Sequence, residues 1–185
     1  MLLARPIRIL VPLALAALAV VGWTRTQAYQ PTKPSSEQQF LTKLAGTWDA
    51  TITMTMGVGG QMVSKGTEVN TLVCGDKWMT THFSAEMMGM PFEGHGMIGW
   101  DAAKKRYVGT WIDVFSESMV QMEGDVSDGK LVWEYDNKIM GMTHQLRDVM
   151  TIRGEDERQL LSSIVSEEGP IEQMRIEFTR RATGD

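Results

Sequence analysis

From Thr47 onward the chain runs in stretches of about ten residues rich in Val, Ile, Thr, Trp and Met, divided by Gly, Asp, Asn and Pro. Within most stretches apolar and polar side chains alternate with a period of two, the pattern of a strand buried on one face. Trp48, Ile52, Met54 and Met56 alternate with Asp49, Thr51, Thr53 and Thr55, and Leu131, Trp133 and Tyr135 alternate with Val132, Glu134 and Asp136. The pattern predicts ten strands, at 48–56, 63–74, 77–87, 92–100, 106–115, 119–126, 130–137, 142–153, 159–166 and 171–180. Runs 77–87 and 106–115 are apolar on both sides, so their facing is not assigned from sequence.

Ahead of the first strand, Ser35 or Ser36 with Gln38 or Gln39 three residues later fits a helix-initiating capping box. Phe40, Leu41 and Leu44 share one face and Gly46 ends the turn, which predicts one short amphipathic helix over 37–45. The connections CGDK, WDAAKKR and VSDGK are short enough to join sequence neighbours as hairpins. Ten long strands in one flat sheet would leave two exposed edges, and closure removes both. The expected fold is therefore all-β: an antiparallel, up-and-down, ten-stranded barrel capped by one short N-terminal helix. Its domain spans 37–182, preceded by a Pro- and Ser-rich linker over 29–36.

The first 28 residues change the picture of where the protein acts. Arg5 and Arg8 precede an apolar run from Ile9 to Trp23, and Thr26 and Ala28 provide a small-residue cleavage position, the layout of a signal peptide. The run is shorter than the roughly 18–20 residues of a membrane span and holds Pro12, so cleavage and a secreted or periplasmic protein are expected, with a retained N-terminal anchor as the alternative. No stable membrane span remains after cleavage. Removing Arg5, Arg8 and Arg25 leaves 15 of the 18 basic residues against 23 acidic ones, a net charge of −8. That balance excludes nucleic acid and anionic lipid as partners. Cys74 is the only cysteine and cannot form an internal bridge, so a buried, inert thiol is expected.

Standard catalytic signatures are absent: there is no His-Glu-x-x-His, no Gly-x-Ser-x-Gly, and no phosphate loop. Sulfur and imidazole groups do recur at strand spacing, in Met54 with Met56, Met88 with Met90, His95 with Met97, and Met140 with Met142 and His144. Thioether and imidazole together suit Cu(I), but methionine also fills cores and lines apolar sites. The Met-rich stretch AEMMGMPFEGHGM reads first as a hairpin tip, because Gly89 and Pro91 sit where the chain must turn. Glu93 and His95 then lie on the face opposite Phe92, Gly94 and Gly96. His144 and Asp148 share the inward set of Met142, Leu146, Met150 and Ile152, as polar groups in an apolar interior. Their spacing of four residues, roughly 13 Å along a strand, is too long for a direct catalytic pair.

LAGTWDATITM (44–54), AEMMGMPFEGHG, and GWDAAKKRYVGTW running into IDVF resemble the bacterial domain of unknown function 1579, over about 40–178. The resemblance implies a calycin-like barrel of unassigned function and carries no catalytic residues to transfer. Gly46-Thr47-Trp48 is also similar to the lipocalin signature, in which the tryptophan closes the barrel floor. A helix followed by LAGTW is similar to the haem-binding nitrobindin-like barrels, whose ligand is a late-strand histidine. His144 is the sole late histidine, the rest of that pattern is not found, and no cofactor is expected. The expected function is binding of a small apolar or amphipathic molecule inside the barrel, with Trp48, Ile52, Met54, Trp133, His144 and Asp148 as the interior ligand-binding residues. No metal site and no catalytic residue are assigned. A Cu(I)-binding protein and an enzyme using His144 with Asp148 are the alternatives.

Overall fold

The computed structural model describes residues 32–56, 59–139 and 141–182. The segment read as a signal peptide lies outside the described residues. Ten strands follow one another: β1 (Gly46–Met56), β2 (Gly60–Val73), β3 (Trp78–Met87), β4 (Met90–Asp101), β5 (Arg106–Asp113), β6 (Val120–Ser127), β7 (Lys130–Ile139), β8 (Met142–Ile152), β9 (Glu157–Ser166) and β10 (Gly169–Arg180). Each pairs antiparallel with its sequence neighbour, and β1 pairs with β10 to close the barrel. All ten coincide with the strands expected from the period-two pattern, with shifts of at most a few residues at their ends.

The helix is shorter than the pattern suggests. It comprises α1 (Ser36–Phe40) followed by a 3₁₀ turn, Leu41–Lys43. Ser35 is the N-cap: its hydroxyl accepts from Gln38 N, and Gln38 Oε1 accepts from Ser35 N at 2.9 Å. The tighter winding at the end turns Leu41 and Leu44 into the barrel, where both are fully buried. The chain then enters β1 through Gly46, whose φ of +117° favours glycine. Tyr107 Oη donates to Glu37 O at 2.8 Å and Phe40 packs edge-on against the Tyr107 ring, so the helix seals one end of the barrel. No helix among the described residues is long and apolar enough to cross a membrane.

The two strands of unassigned facing resolve clearly. Met79, Phe83 and Met87 of β3 point inward with Thr81 among them, and on β5 Tyr107 points into the core. Gly94 and Gly96 face inward beneath Trp111, and a Cβ at Gly94 would stand 2.3 Å from Trp111 Cζ2. The glycines of FEGHG thus let an indole lie flat against the inner wall, and they leave Glu93 and His95 outside. Trp133 uses Gly124 in the same way, as its direct cross-strand partner.

One expectation is corrected. Cys74 is exposed, not buried. It opens the turn between β2 and β3, where Cys74, Gly75 and Asp76 have successive φ values of 55°, 69° and 62°. That left-handed run reverses the chain beyond the sheet, so the alternation that would bury position 74 has already ended.

Candidate functional site

The open end of the barrel, opposite the helix, leads into a cavity of about 370 Å³. Its walls are largely apolar and include Met79, Phe83, Trp111, Met122, Trp133 and Leu160. At the mouth stand Met88 on the β3–β4 turn, Phe92, Phe115 and Asn137. Phe92 and Phe115 are in ring contact, with centroids 5.7 Å apart. Also exposed at this end are Val114 and Met119 on the β5–β6 loop and Met90, Met142 and Ile171 near the starts of β4, β8 and β10. The entrance and the lumen therefore form one continuous apolar surface.

Besides Thr110, Asn137 and Asp113, whose carboxylate accepts from Trp111 Nε1 at 2.9 Å, two polar groups interrupt it. Midway along β8, Asp148 faces its neighbours across the ladder: Trp133 on β7 and Ser162 on β9. Tyr135 Oη donates to Asp148 Oδ2 at 2.8 Å. Asp148 Oδ1 is buried and has no hydrogen-bond partner. Burial pushes the Asp148 carboxyl above the ordinary carboxylate range, with the Ser162 and Tyr135 hydroxyls opposing that rise only in part. Burial likewise raises the Tyr135 phenol, and the Asp148 charge adds to it.

The second group forms the floor. Arg158 of β9 is buried and pairs with Glu68 of β2, and its guanidinium lies 4.3 Å from the ring centroids of both Trp48 and Phe178. Arg158 Nε has no hydrogen-bond partner. Burial draws Arg158 below its ordinary pKa, while the neighbouring Glu68 carboxylate opposes that fall. Glu68 Oε1 also accepts from Asn70 Nδ2 at 2.6 Å, and Asn70 Oδ1 accepts from Thr81 Oγ1 at 2.7 Å. Leu44 O receives both Asn70 Nδ2 and Trp48 Nε1 at 2.9 Å, which ties the floor to the capping helix.

Of the residues singled out from sequence, Met54, Trp133 and Asp148 line the cavity. Trp48 and Ile52 are fully buried in the core but are not part of the lining. His144 is half-buried near the start of β8, opposite Asn137, and is not part of the lining either. Among the described residues no hydrogen bond joins His144 to Asp148; the carboxyl is held by Tyr135 instead. The copper pairs do not converge: Met97 and Met142 are exposed, and His95 and His144 lie on β4 and β8, four strands apart around the barrel. Sequence reasoning missed Arg158, Glu68, Ser162 and Trp111 as lining residues. Trp111 carried a usable signal, the two glycines on the adjacent strand that accommodate it.

The raised Asp148 pKa has a definite sign. The folded state holds this proton more tightly than the unfolded chain, so stability declines as pH rises from the ordinary carboxyl value, about 4, towards the folded value. The deficit is complete above the folded value. Asp148→Asn removes the ionisation, so the variant should be more stable than the wild type at neutral pH, and its advantage should shrink as pH falls towards 4. Urea denaturation midpoints of both proteins across this range check it, and a difference independent of pH rejects it.

Two solved structures share the fold. The chain is 11% identical to the S-type phycobiliprotein lyase CPES of Guillardia theta, with a TM-score of 0.57 over 82% of this chain and 100% of that one. It is 13% identical to Rv2717c of M. tuberculosis, with a TM-score of 0.59 over 81% of this chain and 100% of that one. No curated protein matches the sequence. The model of a family described as "Protein of unknown function (DUF1579)" matches residues 33–180, nearly the whole described barrel, and the chain belongs to that family.

Proposed function

We propose that this is an exported protein whose barrel takes up a small apolar or amphipathic molecule. The observation that carries the reading is chemical. Among the described residues, the buried side-chain polar atoms without partners are Asp148 Oδ1 and Arg158 Nε, and both belong to residues lining one apolar cavity. Unpaired buried polar atoms cost roughly 1–3 kcal/mol each, and a ligand with an apolar body and a hydrogen-bonding group would offset part of that cost. The volume falls near the lower end of the roughly 300–1,000 Å³ typical of small-molecule pockets. The barrel fold is shared with a phycobiliprotein lyase, a protein with a defined activity, so such a scaffold supports more than structure. Export rests on the N-terminal sequence.

The test uses N-phenyl-1-naphthylamine, an uncharged fluorophore. Purified protein should bind it at about one equivalent, and Leu160→Trp, which fills the lumen, should weaken binding at least tenfold. Leu146→Trp fills the same space from β8 and guards against a folding defect in the first variant. Native mass spectrometry of protein from its own host should show a carried small molecule that organic extraction removes. Probe binding that is unchanged in both folded variants would reject the reading. When the full chain is expressed in a bacterial host, N-terminal sequencing should find the protein processed after Ala28, and an intact N-terminus in the cytoplasm would reject export.

A further inference from the structure

The outer wall carries a group of side chains that the cavity does not use. His82 of β3 and His95 of β4 are direct cross-strand partners, and Glu93 lies two residues before His95 on the same outward face. The two imidazoles stack with centroids 4.7 Å apart and planes 13° from parallel. Glu93 Oε1 lies 3.2 Å from His82 Nε2 and 2.9 Å from His95 Nε2. The three candidate donor atoms all fall within 4.8 Å of one another.

We propose that His82, Glu93 and His95 form a binding site for a divalent late transition-metal ion, Zn(II) being the representative. Ligand atoms about 2.0–2.1 Å from a tetrahedral ion stand roughly 3.3 Å apart. Both nitrogen–oxygen separations already lie close to that edge length, and the third, between the two imidazoles, lies within 4.8 Å, so side-chain adjustment alone would have to close it. Two imidazoles and a carboxylate suit Zn(II) and Cu(II), and no soft thioether is needed. Among the described residues no lysine or arginine forms an ion pair with Glu93, whose ion-pair partners are the two proposed imidazole ligands themselves.

The scaffold holds these donors in place. The row across the sheet reads Val69, His82, His95, Ile112, each the direct partner of the next, so partly exposed apolar side chains flank the imidazoles on both sides. On the inner face, Gly94 and Gly96 are clasped by Trp111, which fixes the backbone from which Glu93 and His95 project. Three protein donors leave at least one coordination position for water or an exogenous ligand, so the ion would be exchangeable. The site points away from the lumen and stands independently of the ligand-binding reading.

The experiment titrates chelator-stripped protein with Zn(II) in competition with 4-(2-pyridylazo)resorcinol. The wild type should take up about one equivalent, and His82→Ala and His95→Ala should each weaken uptake at least tenfold. Glu93→Gln should weaken it less, and His144→Ala, which removes the remaining histidine, should leave it unchanged. Far-UV circular dichroism checks that the variants are folded. A second readout needs no variant: Zn(II) should shift the NMR ring resonances of His82 and His95 and leave those of His144 in place. Absence of uptake by the wild type, uptake surviving the double His82→Ala/His95→Ala change, or movement of His144 alone would each overturn the proposal.

Discussion

Glu68→Ala is expected to lower folding stability by about 3–5 kcal/mol, because it leaves the Arg158 guanidinium charged, buried and without its counter-ion. Arg158 sits between the rings of Trp48 and Phe178, and its Nε already lacks a partner. Two cation–π contacts of about 0.5–2 kcal/mol each cannot replace the carboxylate. Loss of Glu68 also frees Asn70 Nδ2 from its 2.6 Å bond, although Leu44 O still accepts from it. The pair is costly to break and far less costly to replace. The double change Glu68→Leu with Arg158→Met removes both charges at similar volume and should recover most of the loss, as buried ion pairs exchanged for apolar residues commonly do. Urea denaturation of the wild type, the single variant and the double variant decides the matter. A Glu68→Ala cost below about 1 kcal/mol would mean that Arg158 finds water or another partner and that the floor is not sealed.

The same pair shows where the sequence stopped being readable. Strand positions are legible when apolar side chains point in and polar ones point out, as in β1 and β7, and there the alternation locates both strands and their inner faces. Around Glu68 the pattern is inverted: Glu68 and Asn70 face the interior while Val69 lies on the outer wall. Hydrophobicity alone would place this segment one residue out of register. Arg158 is hidden for a related reason, since it directly follows the charged run Glu155, Asp156 and Glu157 and reads as one more solvated charge. Its burial is set by partners on β1, β2 and β10, which no local window contains. Asp148 was legible because it is a polar residue set in an otherwise apolar alternation. His144 obeyed the same alternation, yet it is not part of the lining, although its cross-strand partner Asn137 is.

The His82–Glu93–His95 cluster was half legible. The sequence placed Glu93 and His95 together on the face away from Phe92, but His82 joins them only through the β3–β4 register. Run 77–87 is apolar on both sides, so the facing of His82 could not be assigned from sequence. Register also separates the copper-type pairs, because residues two apart on one strand share a face but supply too few donors until a neighbouring strand adds another.

Trp48→Ala should be comparably damaging, at about 3–5 kcal/mol, for reasons of volume as well as contact. The indole is fully buried, with Arg158 at 4.3 Å and Arg180 at 4.1 Å from its ring centroid, and its Nε1 donates to Leu44 O at 2.9 Å. Arg180 in turn donates to Ala45 O at 2.6 Å, so the ring joins β1, β9, β10 and the residues linking the helix to the barrel. Trp48→Phe keeps an aromatic face for both guanidinium groups but loses the indole N–H, and should cost about 1 kcal/mol for the hydrogen bond plus a smaller cavity term than alanine leaves. The expected order of denaturation midpoints is therefore wild type, then Phe, then Ala. The same variants separate a ligand-contacting tryptophan, as the sequence suggested, from one that closes the floor beneath the ligand. If Trp48 closes the floor, Trp48→Phe loses stability while folded protein binds N-phenyl-1-naphthylamine within about twofold of wild type. A tenfold loss of probe affinity without a fall in midpoint would return Trp48 to the cavity lining.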